Sequence, residues 1–387
     1  MIKEFHAKNI FNKINCDLIF NSDINILTGI NGSGKTTILK LIWYILSGNI
    51  ERIFLENIFF QNLLLITNKY KISLENKNIK KKSIESIKIS LFDMKKKTSL
   101  SGVINTKIPR LFDESNKFNL ILIEKLESSV FFPTFRRIEG GFSTTRYTSE
   151  EGERESRFVD YRLGRESRRL QESISNISND LSVSNHKFVY SISTEDIIEL
   201  VSKKFTEAAN KSSKRYEKFA SETINELEKY KDIDLEKEKE FISGQRKKDS
   251  LISSKAILQK VKENAREVRK FHKDQLKPFT VLEKIVKRLY RNNGIKISDQ
   301  IQWGYKKNSI DSNFLSSGEK QMLSFLCYNA FFRSSPIFID EPEISLHPDW
   351  QRLLFSILQS QESNNQFIVA THSPLIYARY SDKELII

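Results

Sequence analysis

The chain lacks the residues that staple, anchor or export a protein. Its only two cysteines, Cys16 and Cys327, stand far apart in 387 residues. That spacing gives neither a metal-ligand pair nor a disulfide framework and suits a reducing cytosol. No apolar run reaches the roughly 18 residues that a bilayer-spanning helix needs. The opening MIKEFHAKNIFNKINCD is broken by charges where a signal peptide requires an unbroken apolar stretch. A cytoplasmic protein without a membrane segment is expected. Acid is also in deficit, with 49 Asp and Glu against 63 Lys and Arg, a net charge of +14. Clustered cations neutralise phosphates and release counterions, so a nucleic-acid partner is open. A chain rich in Lys, Asn and Ile throughout could equally spread the excess thinly over its surface, and net charge says nothing about fold.

What is present begins with 39% hydrophobic and 11% aromatic residues, a globular composition. The length allows one large core with an insertion, or two domains. In INILTGINGSGKTTILKLIWYIL, an apolar strand from Ile24 to Thr28 runs through a glycine-rich turn into an apolar helix from Lys35. Gly29, Gly34, Lys35 and Thr36 fit G-x-x-x-x-G-K-[ST]. Glycines let successive N–H groups curl around a phosphate, and the helix N-terminus adds a favourable dipole. Asn31, Gly32, Ser33, Gly34, Lys35, Thr36 and Thr37 are the expected nucleotide-binding residues. Lys35 would reach the β- and γ-phosphates of ATP, and the Thr36 hydroxyl would meet Mg²⁺.

Near the other end, SSPIFIDEPEISLHPDW gives a strand from Ile337 to Ile339 that ends in Asp340 and Glu341. One carboxylate can hold the metal and the other can orient or deprotonate water. NNQFIVATHSPLIYA gives a further strand, Phe367 to Ala370, running into Thr371, His372, Ser373 and Pro374. A histidine just beyond a strand sits where loops at the carboxyl edge of an open sheet gather around a ligand, and it could sense a γ-phosphate.

Together with FLSSGEKQML, residues 314 to 323, these motifs resemble the ABC-type ATPases, specifically the branch holding the chromosome-maintenance (SMC) ATPases, RecF and the OLD-type nucleases. The resemblance covers residues 1 to about 45 and 310 to 387. It implies an α/β fold: an ABC-type P-loop ATPase core with a mixed β-sheet flanked by helices, carrying an inserted helical hairpin or coiled-coil subdomain. On that pattern Leu315, Ser316, Ser317, Gly318 and Glu319 match the signature, with Ser317 in place of the usual glycine. Asp340 and Glu341 match the Walker B acids, His372 the switch histidine, and EISLHP from Glu343 the D-loop region. The family's Q-loop glutamine has no clear counterpart. Gln61 is a candidate, and VFFPTFRRIEGGF, residues 130 to 142, occupies the expected region without a glutamine.

The middle of the chain reads as an insertion. From Arg136 to Arg169 there are nine arginines interleaved with glutamates, a pattern of self-pairing charge in a partly mobile loop or of a nucleic-acid strip. SISNISNDLSVSN, residues 173 to 185, reads as a polar linker. Tyr216, Phe219, Ile224, Leu227 and Tyr230 keep helical spacing, as do Leu258, Val261, Ala265, Val268 and His272. An antiparallel hairpin with arms of roughly 30 to 40 residues, about 45 to 60 Å, is expected. The layout is 1–135 for the first part of the ATPase domain, 136–190 for the Arg-rich and Ser/Asn-rich insertion, 191–295 for the hairpin and 296–387 for the second part.

The resemblance implies Mg-ATP held by one protomer and capped in trans by Ser316, Ser317, Gly318 and Glu319 of another, hence a homodimer or higher homo-oligomer. Glu341 and His372 are the expected catalytic residues, and Thr36 and Asp340 the metal ligands. The Pro-x-x-Arg-Arg and Leu-His-Pro segments are similar to ATPases of bacterial antiphage systems such as PARIS, Septu and the retron-linked systems. The chain ends fifteen residues after His372, where an OLD nuclease would continue into a Toprim domain. A separate, nuclease-like effector is therefore expected. A RecF-like repair ATPase is the alternative, and a transporter ATPase fits less well because of the long insertion.

Overall fold

A computed structural model describes residues 1–76, 86–105, 121–123, 125–134, 176–190, 194–237, 246–290, 296–297, 301–302 and 315–387. Two compact units result, Met1–Thr194 with Leu315–Ile387, and Glu195–Phe314. The chain runs through β1 (Ile2–Ile10), β2 (Ile14–Ile19), β3 (Ile24–Thr28), α1 (Lys35–Ser47), α2 (Glu51–Leu55), β4 (Asn62–Thr67), β5 (Tyr70–Asn76), β6 (Ser86–Asp93), β7 (Thr98–Asn105), β8 (Ser129–Phe132) and β9 (His186–Phe188). Next come α3 (Thr194–Lys237), α4 (Arg246–Leu289) and the two short strands β10 (Lys296–Ile297) and β11 (Ile301–Gln302). The first unit then resumes with α5 (Ser317–Phe331), β12 (Pro336–Asp340), α6 (Pro348–Gln359), β13 (Gln366–Ala370), α7 (Pro374–Tyr377) and β14 (Glu384–Ile386).

Strands of both directions are present in the first unit, sorted into separate sheets. β4, β5 and β6 alternate buried and more open residues, the pattern of strands with one covered face. They belong to an antiparallel sheet ordered β2-β1-β4-β5-β6-β7. β3, β8, β12 and β13 are buried at every position. Such continuous apolar runs suit a sheet covered on both faces, and these strands form a parallel sheet ordered β14-β3-β13-β12-β8-β9. Helix α1 buries most of its length between the two, and Trp43 meets the rings of Phe131 and Phe188 at 5.7 and 5.2 Å. Gln366 joins the sheets directly: its Oε1 accepts from Ile2 N and its Nε2 donates to Ile2 O, both at 2.8 Å.

The segment read as a polar linker is partly ordered structure. Residues 176–181 are helical, Asn49 Nδ2 donates to Leu181 O at 2.9 Å, and Ser182 Oγ accepts from Phe188 N at 3.0 Å. Short polar side chains can tie local backbone groups as readily as they solvate a loop. The Arg-rich stretch from Arg136 to Arg169 lies outside the described residues.

In the second unit α3 and α4 pair antiparallel. Phe205 meets Phe279 edge to face at 5.4 Å, Arg215 faces Glu267 at 3.6 Å, Tyr216 approaches His272 at 6.0 Å, and Glu226 is ion-paired with Lys260. Each arm has 44 residues, longer than the spacing of apolar residues suggested. The expected apolar seam is only partly used. Val268 is buried, whereas Tyr216, Ile224 and Leu258 are 42%, 54% and 61% exposed. One helix shields only a narrow stripe of its neighbour, so apolar residues at the margin of that stripe face water.

Candidate functional site

Helix α1 starts at Lys35 because the preceding residues cannot continue it backward. Gly34 holds the N-cap position at φ 99°, a left-handed conformation favourable to glycine. A Cβ there would also lie 2.4 Å from Ile14 Cδ1, so the β1–β2 hairpin packs directly on the loop. Asn31 and Gly32 are exposed at the loop crest, while Ser33, Thr36 and Thr37 are half-buried below it. Lys35 Nζ donates to the carbonyls of Gly29 and Ile30, each at 3.1 Å. Burial lowers the Lys35 pKa from its ordinary value, and Glu341, Asp340 and Glu343 oppose that shift. Among the described residues Ser33 Oγ is buried without a hydrogen-bond partner, an orphan that a phosphate oxygen would satisfy.

The parallel register then assembles the acids. β12 lies between β13 and β8, with Asp340 opposite Ala370 and Ile339 opposite Phe132. Thr36 Oγ1 donates to both carboxylate oxygens of Asp340 at 3.0 Å. From the other side Thr134 Oγ1, two residues beyond β8, donates to Asp340 Oδ2 at 2.6 Å. Sequence reasoning missed Thr134, although it falls within the FFPTF segment that was singled out. The signal was its place just past a strand parallel to β12, which no local pattern revealed. Gln61 sits at the head of β4 in the other sheet, where its N–H donates to Lys8 O at 2.9 Å; Thr134 and Thr36 are the side chains hydrogen-bonded to Asp340 among the described residues.

Asp340 is 2% exposed, and burial raises its pKa despite the hydroxyls of Thr134 and Thr36. Hard oxygen donors around a desolvated carboxylate suit Mg²⁺. Among the described residues no three His, Cys, Asp or Glu cluster to hold a metal by themselves. Magnesium commonly completes such a set with waters and substrate phosphates.

Glu341 follows at φ 49°, a left-handed conformation uncommon for a residue with a Cβ, and its N–H donates to Ala370 O at 2.8 Å. Backbone strain of this kind costs on the order of 1–3 kcal/mol and persists where the surroundings enforce it. The next acid, Glu343, was placed in the D-loop region without a role. Its Oε1 accepts from the N–H of His372 at 2.7 Å and its Oε2 from Thr371 Oγ1 at 2.9 Å. Gln351 of α6 strengthens the latch: its Oε1 accepts from Ser373 Oγ at 2.7 Å and its Nε2 donates to Leu346 O at 2.8 Å. The exposed His372 is thus fixed by its backbone.

The signature stretch lies in the same unit. Ser316 caps α5 in a capping box: its Oγ accepts from Glu319 N at 3.3 Å, and its own N–H donates to Glu319 Oε2 at 2.8 Å. Ser317 is half-buried and Gly318 buried. A Cβ on Gly318 would stand 2.3 Å from Ser345 O, so glycine permits the helix start to rest on the turn after Glu343.

A phosphate loop between strand and helix, facing a buried strand that ends in Asp-Glu, is the arrangement of a P-loop nucleotide-binding domain. The family described as "AAA domain, putative AbiEii toxin, Type IV TA system" matches residues 24–378, and the chain belongs to it. The chain carries that family's AAA domain. A local stretch of 49 residues is 37% identical to "Retron Vc95 probable ATPase" of Vibrio cholerae serotype O1 biovar El Tor, spanning 13% of this chain and 10% of that protein. The Smc head domain with an extended coiled coil, bound to the C-terminal domain of ScpA and derived from Pyrococcus furiosus, aligns over 97% of this chain and 91% of that chain at 16% identity and a TM-score of 0.41. SmcHead bound to the C-winged helix domain of ScpA aligns over the same shares at 11% identity and a TM-score of 0.41. No described helix is long and apolar enough to cross a membrane.

An acid whose folded pKa is raised destabilises the fold above its unfolded pKa, and the cost is relieved as pH falls through the folded pKa. Asp340→Asn is therefore expected to raise the melting temperature at neutral pH while abolishing Mg-dependent nucleotide hydrolysis. A fall in melting temperature would instead make the carboxylate a net anchor. Glu343→Ala should cost about 1.5–3 kcal/mol, the range for hydrogen bonds to a charged acceptor. Its specific mark is faster hydrogen exchange at the His372 amide, and unchanged protection there would remove the latch.

Proposed function

We propose that the chain binds and hydrolyses Mg-ATP, dimerises around the nucleotide and serves as the sensor or regulatory subunit of an antiphage defence system, controlling a separate effector of nuclease type. The observation that carries the hydrolytic part is the contact of Thr36 in the phosphate loop with Asp340 at the end of β12, next to Glu341. The local likeness to a retron ATPase supports the defence setting.

Residues Asn31 to Thr37 hold the triphosphate, with backbone N–H groups and Lys35 offsetting its charge. Thr36 and Asp340 would hold Mg²⁺, which, when bound, neutralises charge on the phosphates. Glu341, adjacent to the buried acid and half-open itself, orients the attacking water and takes its proton. His372 stabilises the phosphoryl group from the switch loop. Ser316, Ser317 and Gly318 of a second copy cap the γ-phosphate. Glu319 already occupies the Ser316 N–H, so engagement exchanges its carboxylate for phosphate oxygens.

Glu341→Gln is expected to keep ATP affinity within a few-fold and to slow hydrolysis by about 10²–10⁴, the usual contribution of a general base. A normal rate would take that role from Glu341. The shared site is tested by mixing a Lys35→Ala chain, itself deficient in nucleotide binding, with a Ser316→Arg chain. Each mixed dimer holds one intact composite site, so activity should return. Persistent inactivity would count against sharing across protomers.

A further inference from the structure

The two arms of the hairpin differ in charge more than their common architecture requires. α3 carries nine Lys and Arg against eleven Asp and Glu, whereas α4, of equal length, carries fourteen against five. A chain-wide preference for lysine would load both arms alike, so the excess belongs to α4. It is also arranged. Lys262, Arg266, Lys270, Lys273 and Lys277 succeed one another every three or four residues, Lys284 and Arg288 continue the row, and all are exposed. At 3.6 residues per turn they fall within an arc of about 100° of the helix surface, which Arg269 and Lys287 share. Thr280 interrupts the row; no acidic residue occupies a position within the arc between residues 262 and 288, although Glu283 from beside it is ion-paired with Lys287 at 2.5 Å. The buried residues Val268, Phe279, Leu282 and Val286 lie on the opposite side of α4. Glu267 is turned toward Arg215 of α3 at 3.6 Å.

We propose that this face of α4 binds the phosphodiester backbone of a nucleic acid. From residue 262 to 288 the row extends roughly 39 Å at 1.5 Å per residue, about the length of one duplex turn. Cations at that density meet a polymer whose phosphates recur along its whole length, and release of condensed counterions drives the association. The arc offers no aromatic platform for stacking bases and no apolar residue for insertion into a bilayer interface. Binding is therefore sequence-independent, steeply dependent on salt and directed at nucleic acid rather than membrane. It does not depend on the proposed chemistry of the nucleotide site.

The test uses the full chain and fluorescence anisotropy with a labelled single strand and the matching duplex of about 30 nucleotides, across a salt series. The triple variant Lys262→Glu, Lys270→Glu and Lys277→Glu should weaken binding about tenfold or more and reduce the slope of log affinity against log salt by about two to three. A control of equal charge change on the exposed turn between β6 and β7, Lys95→Glu, Lys96→Glu and Lys97→Glu, should change affinity less than about threefold. Whichever of strand and duplex loses more through the triple identifies the natural form. Gln at the same three α4 positions replaces Glu if circular dichroism shows the reversed-charge helix to be perturbed. Equal losses from stripe and control would reduce the effect to net charge and overturn the proposal. So would no binding by the unaltered chain at low salt, or binding to anionic phospholipid vesicles without binding to nucleic acid.

Discussion

A buried carboxylate ties the phosphate loop to the parallel sheet, at a cost to stability. Asp340 is almost entirely removed from water, and an ionised carboxylate in such a place is costly unless hydroxyls or cations surround it. Thr36 supplies one hydroxyl from the phosphate loop and Thr134 another from beyond β8. The same interaction that reduces the cost of burial therefore fixes the loop relative to the parallel sheet. Burial still raises its pKa, so the ionised form carries a residual cost. Stability given up at this residue is the expected trade of a functional site.

Around that centre, backbone contacts and side-chain latches link loops of different origin. Gly318 rests on the Ser345 carbonyl, Gln351 spans from Leu346 to Ser373, and Glu343 holds Thr371 and the His372 amide. The surface proposed to cap a partner's nucleotide is thus continuous with the loop that bears the chain's own histidine. In a dimer of the proposed kind, engagement of Ser316 with a second copy would bear on His372 of the same chain through a short path of packed backbone. A carboxylate accepting two hydrogen bonds sets the position of a loop more firmly than a neutral side chain could.

The helical hairpin follows a different logic. Its arms meet through a ladder of ring contacts and ion pairs, and its apolar seam is narrow enough to leave Ile224 and Leu258 in water. Most of the outer surface is consequently free to be chosen for charge. That freedom is used differently on the two arms, near balance on α3 and strongly basic on α4. Two helices of equal length and shared packing give no structural reason for the difference.

Local chemistry made part of this legible from residues alone. The strand from Ile24 to Thr28, the helix beginning at Lys35, and the buried strands ending at Asp340 and Ala370 all stand where continuous apolar runs and glycine-rich turns indicated. Periodicity showed two helical tracts but underestimated their length, since charged residues extend a helix without adding to its apolar pattern. The amino-acid sequence by itself thus determined the phosphate loop, the acidic strand end and the hairpin, each written in adjacent residues. Only the tertiary structure decided that Thr134 meets Asp340 across 206 positions and that Glu343 holds His372 across 29. A threonine after a strand or a glutamate in a turn has no distinctive local signature. Each acquires its role when the parallel register brings separate strand ends to one edge, where a buried charge selects its neighbours.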